Sequence, residues 1–239
     1  MERQCHGHII SLDSYNKAEQ ILTFCYIRKI ELVLTPEEEV RQALLKFIYE
    51  HSNIDTSLFI TRVEFKNLDI AFYNKTPFED FQPSLAPFII IETKRDHTNL
   101  LQFENQIKGY LKINNCKIGF LFDSKAIYLL SEINKYSPIK ININELLKQI
   151  ESSYVNFTED CFLFENARNG DFECFKQLAK KYGSNSKITF IIKGSPAPIV
   201  GFLFDFSRDY IFFDICGSKS TKNKTKISIN SFLKLKYIK

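Results

Sequence analysis

The sequence predicts an α/β fold: a mixed sheet flanked by helices, followed by a small C-terminal β-rich, barrel-like appendage. Three observations carry this. Segments with helical apolar spacing alternate with short β-branched and aromatic runs as far as about residue 155. The run Phe88, Ile89, Ile90, Ile91 is continuously apolar, as a strand covered on both faces must be. Beyond residue 155 a helical pair is followed by closely spaced β-rich runs, which suit a small barrel. The expected division is therefore 1–155 and 156–239, and 239 residues suit one sizeable domain with an appendage.

Residues 8–34 mix short apolar runs and read as a lead-in helix and a strand. Thr35, Pro36 and Glu38 then announce a helix start, with Thr35 as N-cap, Pro36 at the first helical position and Glu38 completing a capping box. Val40, Leu44, Phe47 and Ile48 continue as one apolar face. Residues 58–66 and 69–73 read as strands, 74–87 as a proline-bearing loop, and 88–94 as a strand. A helix follows, with Thr98 as its expected cap and Leu101, Ile107 and Leu111 facing the core. Residues 117–122 and 126–130 make two strands around the Asp123-Ser124 turn, and 143–152 look helical. Residues 162–182 form an amphipathic helical pair, and 188–193, 199–215 and 226–238 read as β-rich.

With 44% hydrophobic residues, 23 Phe and 11 Tyr, the chain has the material for a packed core, which argues against disorder. A net charge of +4 is compatible with binding phosphates without requiring it. Residues 217–239 carry Lys219, Lys222, Lys224, Lys226, Lys234, Lys236 and Lys239 and no acid; they read either as a solvated tail or as a nucleic-acid contact strip. The six cysteines contain no CxxC pair, so reduced, mostly buried thiols and a cytoplasmic setting fit best. Cys5, His6 and His8 lack a second ligand pair at metal-site spacing. No basic-then-apolar leader and no apolar run of about 20 residues is present, so neither a signal peptide nor a membrane partner is expected.

The chemistry concentrates in Asp69 and in Glu92-Thr93-Lys94. In a strand, residues i and i+2 share a face, so Glu92 and Lys94 project together where the isoleucine run ends. Two carboxylates can hold Mg²⁺ and leave positions for water and a phosphate oxygen. A neighbouring lysine can orient that water and stabilise phosphate charge. The backbone carbonyl of Thr93 is a third candidate metal contact. Glu37 precedes Val40 and Leu44 by three and seven residues and so shares their inward face. Glu38 reads as a capping residue. Arg41 can pair with a site carboxylate or face solvent, and His97 can be a phosphate contact or a plain loop residue. Asp69, taken alone, can also be a turn residue after Asn67.

These pieces resemble the PD-(D/E)xK nuclease superfamily. Residues of about 35–130 look more closely like the N-terminal nuclease domain of type I restriction enzyme R subunits. The resemblance rests on Thr35-Pro36-Glu37-Glu38-Glu39-Val40-Arg41-Gln42, Leu68-Asp69-Ile70, Ile91-Glu92-Thr93-Lys94 and Gln106-Ile107-Lys108-Gly109-Tyr110, in that order. It implies a restriction-endonuclease-like core and a nuclease hydrolysing nucleic acid, DNA foremost, in a defence or mobile-element setting. It further implies Asp69, Glu92 and Thr93 as metal ligands for Mg²⁺, with Mn²⁺ able to substitute. Lys94, Gln106 and Glu37 would assist catalysis, and Tyr110 and Lys94 would contact nucleic acid. Leu68 stands where the family often has proline. No G-x-x-x-x-G-K-[ST] loop is found, so the expectation is a stand-alone nuclease, a homodimer, or a chain served by a separate motor or modification partner. The alternative readings are a non-catalytic nucleic-acid-binding module that keeps the nuclease fold and a partner-docking module.

Overall fold

The computed structural model describes residues 1–78, 81–82, 86–155, 157–169, 171–182, 187–189, 203–207, 210–213, 225–228 and 231. The chain divides into two compact units: Met1–Asn74 with Ala86–Tyr154, and Lys75–Leu85 with Val155–Lys239.

The first unit opens with five short strands: β1 (Glu2–Cys5), β2 (His8–Ser11), β3 (Ser14–Lys17), β4 (Gln20–Phe24) and β5 (Glu31–Val33). They form a β1-β2 hairpin and a three-stranded β3-β4-β5 sheet, so the lead-in helix expected within residues 8–34 does not exist. The reason lies in the turns. His6 and Gly7 (φ 46° and 89°) link β1 to β2, and Ala18 and Glu19 (φ 48° and 65°) link β3 to β4. Two-residue hairpin turns need such left-handed backbone, usually signalled by Asn-Gly or Asp-Gly. Ala-Glu carries no such signal and reads as helical.

Helix α1 (Pro36–Lys46) follows, with Thr35 Oγ1 accepting from the Glu38 backbone N–H at 3.2 Å. Only this half of the capping box forms. The Glu38 carboxylate turns inward to Arg41 and Gln42, each at 2.6 Å, and the Thr35 N–H donates to the Val33 carbonyl instead. Next come β6 (Phe59–Phe65), β7 (Leu68–Asn74), the two-residue β8 (Phe81–Gln82), β9 (Ile89–Thr93), α2 (Glu104–Ile113), β10 (Ile118–Phe122), β11 (Ile127–Ser131), β12 (Ile139–Ile141) and α3 (Ile143–Ser153). The turn between β6 and β7 is Lys66-Asn67 (φ 54° and 64°), so Asp69 is a strand residue and not part of the turn. The expected cap at Thr98 is also displaced. Asn99 accepts from the Leu101 N–H and starts a 3-10 turn, Leu100–Phe103, that leads into α2; this turn buries Leu100 and leaves Leu101, expected to face the core, 43% exposed.

The central sheet has six strands in the order β12-β11-β10-β9-β7-β6. Only β9 and β10 run parallel, joined by the crossover through α2, and every other neighbour is antiparallel. The β9 isoleucines are fully buried and serve both faces. Ile89 and Ile91 join Ile70, Phe72, Phe120 and Phe122 in a core with Val40, Leu44 and Ile48 of α1 and with Leu146 and Ile150 of α3. Ile90 joins Ala71 and Leu121 against Ile107 and Leu111 of α2. Each such side chain contributes roughly 1.5–3 kcal/mol when removed from water. Strand β9 is thereby held from both sides, and its end is a rigid place for charged groups.

In the second unit, α4 (Thr158–Arg168) and α5 (Phe172–Tyr182) are the expected helical pair, tied by Lys181 Nζ to both Asp160 carboxylate oxygens at 2.7 and 2.9 Å. Asp171 caps α5 by accepting from the Glu173 and Cys174 N–H groups. Strands β13 (Lys187–Thr189), β14 (Leu203–Ser207), β15 (Tyr210–Phe213) and β16 (Thr225–Ser228) join β8 in an antiparallel sheet ordered β16-β15-β14-β13-β8. Among the described residues this order is open, so the barrel-like expectation is replaced by a five-stranded sheet. The expected loop at 74–87 supplies one of its strands, and within the expected run at 199–215 the described residues are the antiparallel strands β14 and β15. Of the lysine-rich segment 217–239, only Thr225–Ser228 and Ser231 lie within the described residues, so neither reading of it is addressed. Cys216 also lies outside them.

Candidate active site

The last ladder pair between β7 and β9 is Ile70 with Ile91. One step further along this register stand Asp69 and Glu92, on neighbouring antiparallel strands. Alternation places both on the side of Ala71 and Ile90, the side covered by α2. The spacing expectation for Glu92 and Lys94 is met in the geometry: Lys94 Nζ donates to Glu92 Oε1 at 2.6 Å. Gln106, from the first turn of α2, donates through Nε2 to the same oxygen at 2.8 Å and to Tyr110 Oη at 2.9 Å. Glu37, on α1, takes Lys94 Nζ at 3.4 Å from the other side.

Asp69 is held separately. Its Oδ2 accepts from the Thr93 N–H at 2.8 Å and the Thr93 hydroxyl at 3.0 Å, and its Oδ1 accepts from Arg41 Nη2 at 3.0 Å. Arg41 is 5% exposed and also meets Glu38 at 2.6 Å and Glu64 at 2.8 Å. The choice between a site carboxylate and solvent for Arg41 thus falls to the carboxylates. A buried guanidinium with several anionic partners stays charged, and these neighbours hold its pKa above the ordinary value against the opposing effect of burial.

Glu92 is 2% exposed. Burial, and next the charge of Asp69, push its carboxyl from the ordinary range up to about 7, against the opposing effect of Lys94. Burial pulls the Lys94 ammonium down, but the Glu92 hydrogen bond and the charges of Glu92, Asp69 and Glu37 overcome this and raise it. Lys94 is therefore a fixed cation at neutral pH. Both donors to Glu92 converge on Oε1, and Oε2 is buried without a partner. A buried acceptor left bare costs roughly 1–3 kcal/mol. That bare oxygen, on a carboxylate that feels the charge of Asp69, is the donor open to a hard cation here. Among the described residues no three His, Cys, Asp or Glu side chains group as a metal site, so a cation here would rest on two carboxylates and non-side-chain oxygens such as the Thr93 carbonyl.

Asp69, Thr93 and Arg41 form one set, Glu92, Lys94, Glu37, Gln106 and Tyr110 form a second, and the Arg41–Glu37 ion pair at 3.9 Å joins the two into one network. Residues 36–141 match the family model for the type I restriction enzyme R protein N terminus. The matched stretch contains every residue of that network, and over it the chain is similar to that family. No curated protein and no solved structure matches the chain.

Several groups in the site carry no spacing signal of their own. The Thr93 hydroxyl lies on the opposite strand face from Glu92 and Lys94 and binds Asp69. Phe103, on the 3-10 turn before α2, places its ring 4.7 Å from Lys94 Nζ. Glu64 adds a further carboxylate on Arg41. His97 lies on a turn (φ 63°) with Nε2 at 3.1 Å from Lys125 Nζ and remains a loop residue. His6 contacts the Asp123 carbonyl at 2.8 Å. Among the described residues no helix is long and apolar enough to cross a membrane.

Proposed function

We propose that the first unit is a metal-dependent nuclease of the PD-(D/E)xK type, acting on the phosphodiester bonds of DNA in a restriction-related role. The observation that carries the reading is the Glu92 carboxylate: buried, fixed through one oxygen by Lys94 and Gln106, bare at the other, and one register step from Asp69. The family match over residues 36–141 supports the same reading. The proposed ligands are Asp69, Glu92 and the Thr93 carbonyl, with Mg²⁺ as the cation and Mn²⁺ as its substitute. When bound, the cation polarises the phosphoryl group and lowers the pKa of the attacking water. The chain does the rest. Lys94, held protonated by its acidic neighbours, donates to the phosphate oxygens and stabilises their charge; a fixed cation is a poor general base. Gln106 fixes Glu92 and Tyr110 in one hydrogen-bonded line, and Tyr110 is the proposed contact to the substrate backbone. Glu37 braces Lys94 against α1.

The test is cleavage of plasmid, linear duplex, single-stranded DNA and RNA with Mg²⁺, Mn²⁺ or EDTA. Wild type is compared with Asp69→Ala and Lys94→Ala, with circular dichroism as the check on folding. The expected result is metal-dependent cutting of DNA, reduced by about 100-fold or more in each folded variant. Equal behaviour of wild type and variants would overturn the assignment. A second reading has its own observation: Arg41 and Thr93 already engage both Asp69 oxygens, as in a domain that binds nucleic acid without cutting it. Tight binding of DNA with no cutting under any metal would favour it.

A further inference from the structure

The first unit has a second feature that the proposed site does not use. An open groove of about 450 Å³ lies where the C-terminal end of α2 meets the start of β10 and the turn after β11. Lys108, Lys112, Asn115, Lys117, Lys135 and Tyr136 line it, with one carboxylate, Glu132, among them. Four ammonium groups around one concavity are expensive to gather, because like charges repel. Two are offset: Lys108 pairs with Glu104 on its own helix, and Lys117 pairs with Glu132 at 2.9 Å. Lys112 and Lys135 meet no carboxylate among the described residues. The walls are firm. Leu111 and Cys116 behind the groove are buried. The turns that present the lysines hold Asn115, Lys135 and Tyr136 in left-handed backbone (φ 52°, 56° and 58°), tied by the Asn115 N–H to the Lys112 carbonyl and the Tyr136 N–H to the Ser131 carbonyl.

Two lysines without a carboxylate partner among the described residues, lining one groove together with the Asn115 amide and the Tyr136 phenol, match the chemistry of a phosphate group. The same helix carries Gln106 and Tyr110 of the candidate active site. At about 1.5 Å per residue, Lys112 lies on the order of 9 Å along α2 from Gln106. By helical period Lys108 and Lys112 lie on the opposite flank of α2 from Gln106 and Tyr110, so a strand that reaches both places passes round the helix. We propose that this lysine-lined groove is a phosphate-binding subsite that holds the nucleic-acid backbone beyond the cutting site; the identity of the ligand rests on the nuclease reading above. The groove anchors substrate and takes no part in bond breaking.

The test uses the full chain in EDTA, so that nothing is cut. Fluorescently labelled DNA, duplex and single-stranded, with and without a 5′-phosphate, is titrated across a range of salt concentrations. Lys112→Ala/Lys135→Ala is compared with wild type and with Lys140→Ala/Lys148→Ala, which removes two other exposed lysines and the same net charge. Each phosphate contact adds about 0.9 to the slope of log affinity against log salt on duplex DNA. The groove variant is therefore expected to flatten that slope by about 2, with an unchanged melting temperature and an unchanged slope in the control pair. A loss confined to 5′-phosphorylated DNA assigns the groove to a terminal phosphate; a loss on every substrate assigns it to the backbone. Equal slopes in the groove and control variants overturn the subsite and leave the nuclease reading intact, provided that wild type binds and cuts. If wild type binds no nucleic acid, the subsite and the nuclease reading both fail.

Discussion

Replacing Glu92 by Gln is the sharpest probe of the site's electrostatics. In the folded protein burial and Asp69 raise the Glu92 carboxyl from 4.5 to about 7. A carboxyl whose folded pKa lies above its unfolded value prefers the protonated form in the fold. Its contribution to stability is full below pH 4.5 and is lost as pH rises through about 7. At 1.36 kcal/mol per pKa unit the loss is on the order of 3 kcal/mol between pH 4.5 and 8. Gln has the same shape and does not titrate. The difference in unfolding free energy between wild type and Glu92→Gln should therefore swing by about 3 kcal/mol over that range, in favour of the variant at high pH. The assay is denaturant unfolding at several pH values in EDTA, followed by circular dichroism because the chain contains no Trp. Asp69→Asn, which removes the second-largest cause, should shrink the swing without abolishing it, since burial remains. Parallel pH profiles for wild type and Glu92→Gln would refute the claim that this carboxylate is held charged at a cost.

Three further outcomes follow from the packing. Arg41→Met leaves Glu38 and Asp69 without their buried counter-charge and should lower stability by about 3–5 kcal/mol in denaturant unfolding; a change below about 1 kcal/mol would show the network to be incidental. A Cβ at Gly119 would come within 3.0 Å of the Ile107 and Leu111 side chains, so Gly119→Val should cost about 1–3 kcal/mol by overpacking α2 against β10, read as a lowered melting temperature. Thr35→Ala removes the N-cap acceptor of α1 and should cost about 1 kcal/mol in the same unfolding assay.

Much of the site's wiring follows from local spacing. Glu92 and Lys94 share a face because strand geometry leaves no alternative, and they meet at 2.6 Å. Gln106 and Tyr110, four apart on a helix, meet at 2.9 Å for the equivalent reason. Long apolar-patterned elements such as α1, β9 and α3 are legible because burial imposes their period. The five N-terminal strands are not, because their turns place Ala18, Glu19 and His6 in left-handed backbone that their composition does not announce. Residues 75–85 mislead for a different reason: Phe81–Gln82 is a strand only through its partner β13, more than 100 positions away in the chain.

Period and propensity alone specify that an α/β core forms, which strand ends in charge, and which helix residues pair along one face. Tertiary structure decided the rest. It put Asp69 beside Glu92 through the β7–β9 register, aimed Arg41 at Asp69 from α1, and left Glu92 Oε2 bare. The physical reason is that burial, charge compensation and unsatisfied acceptors belong to pairs of residues brought together across 20 to 60 positions of chain, and no local pattern records what the partner will be.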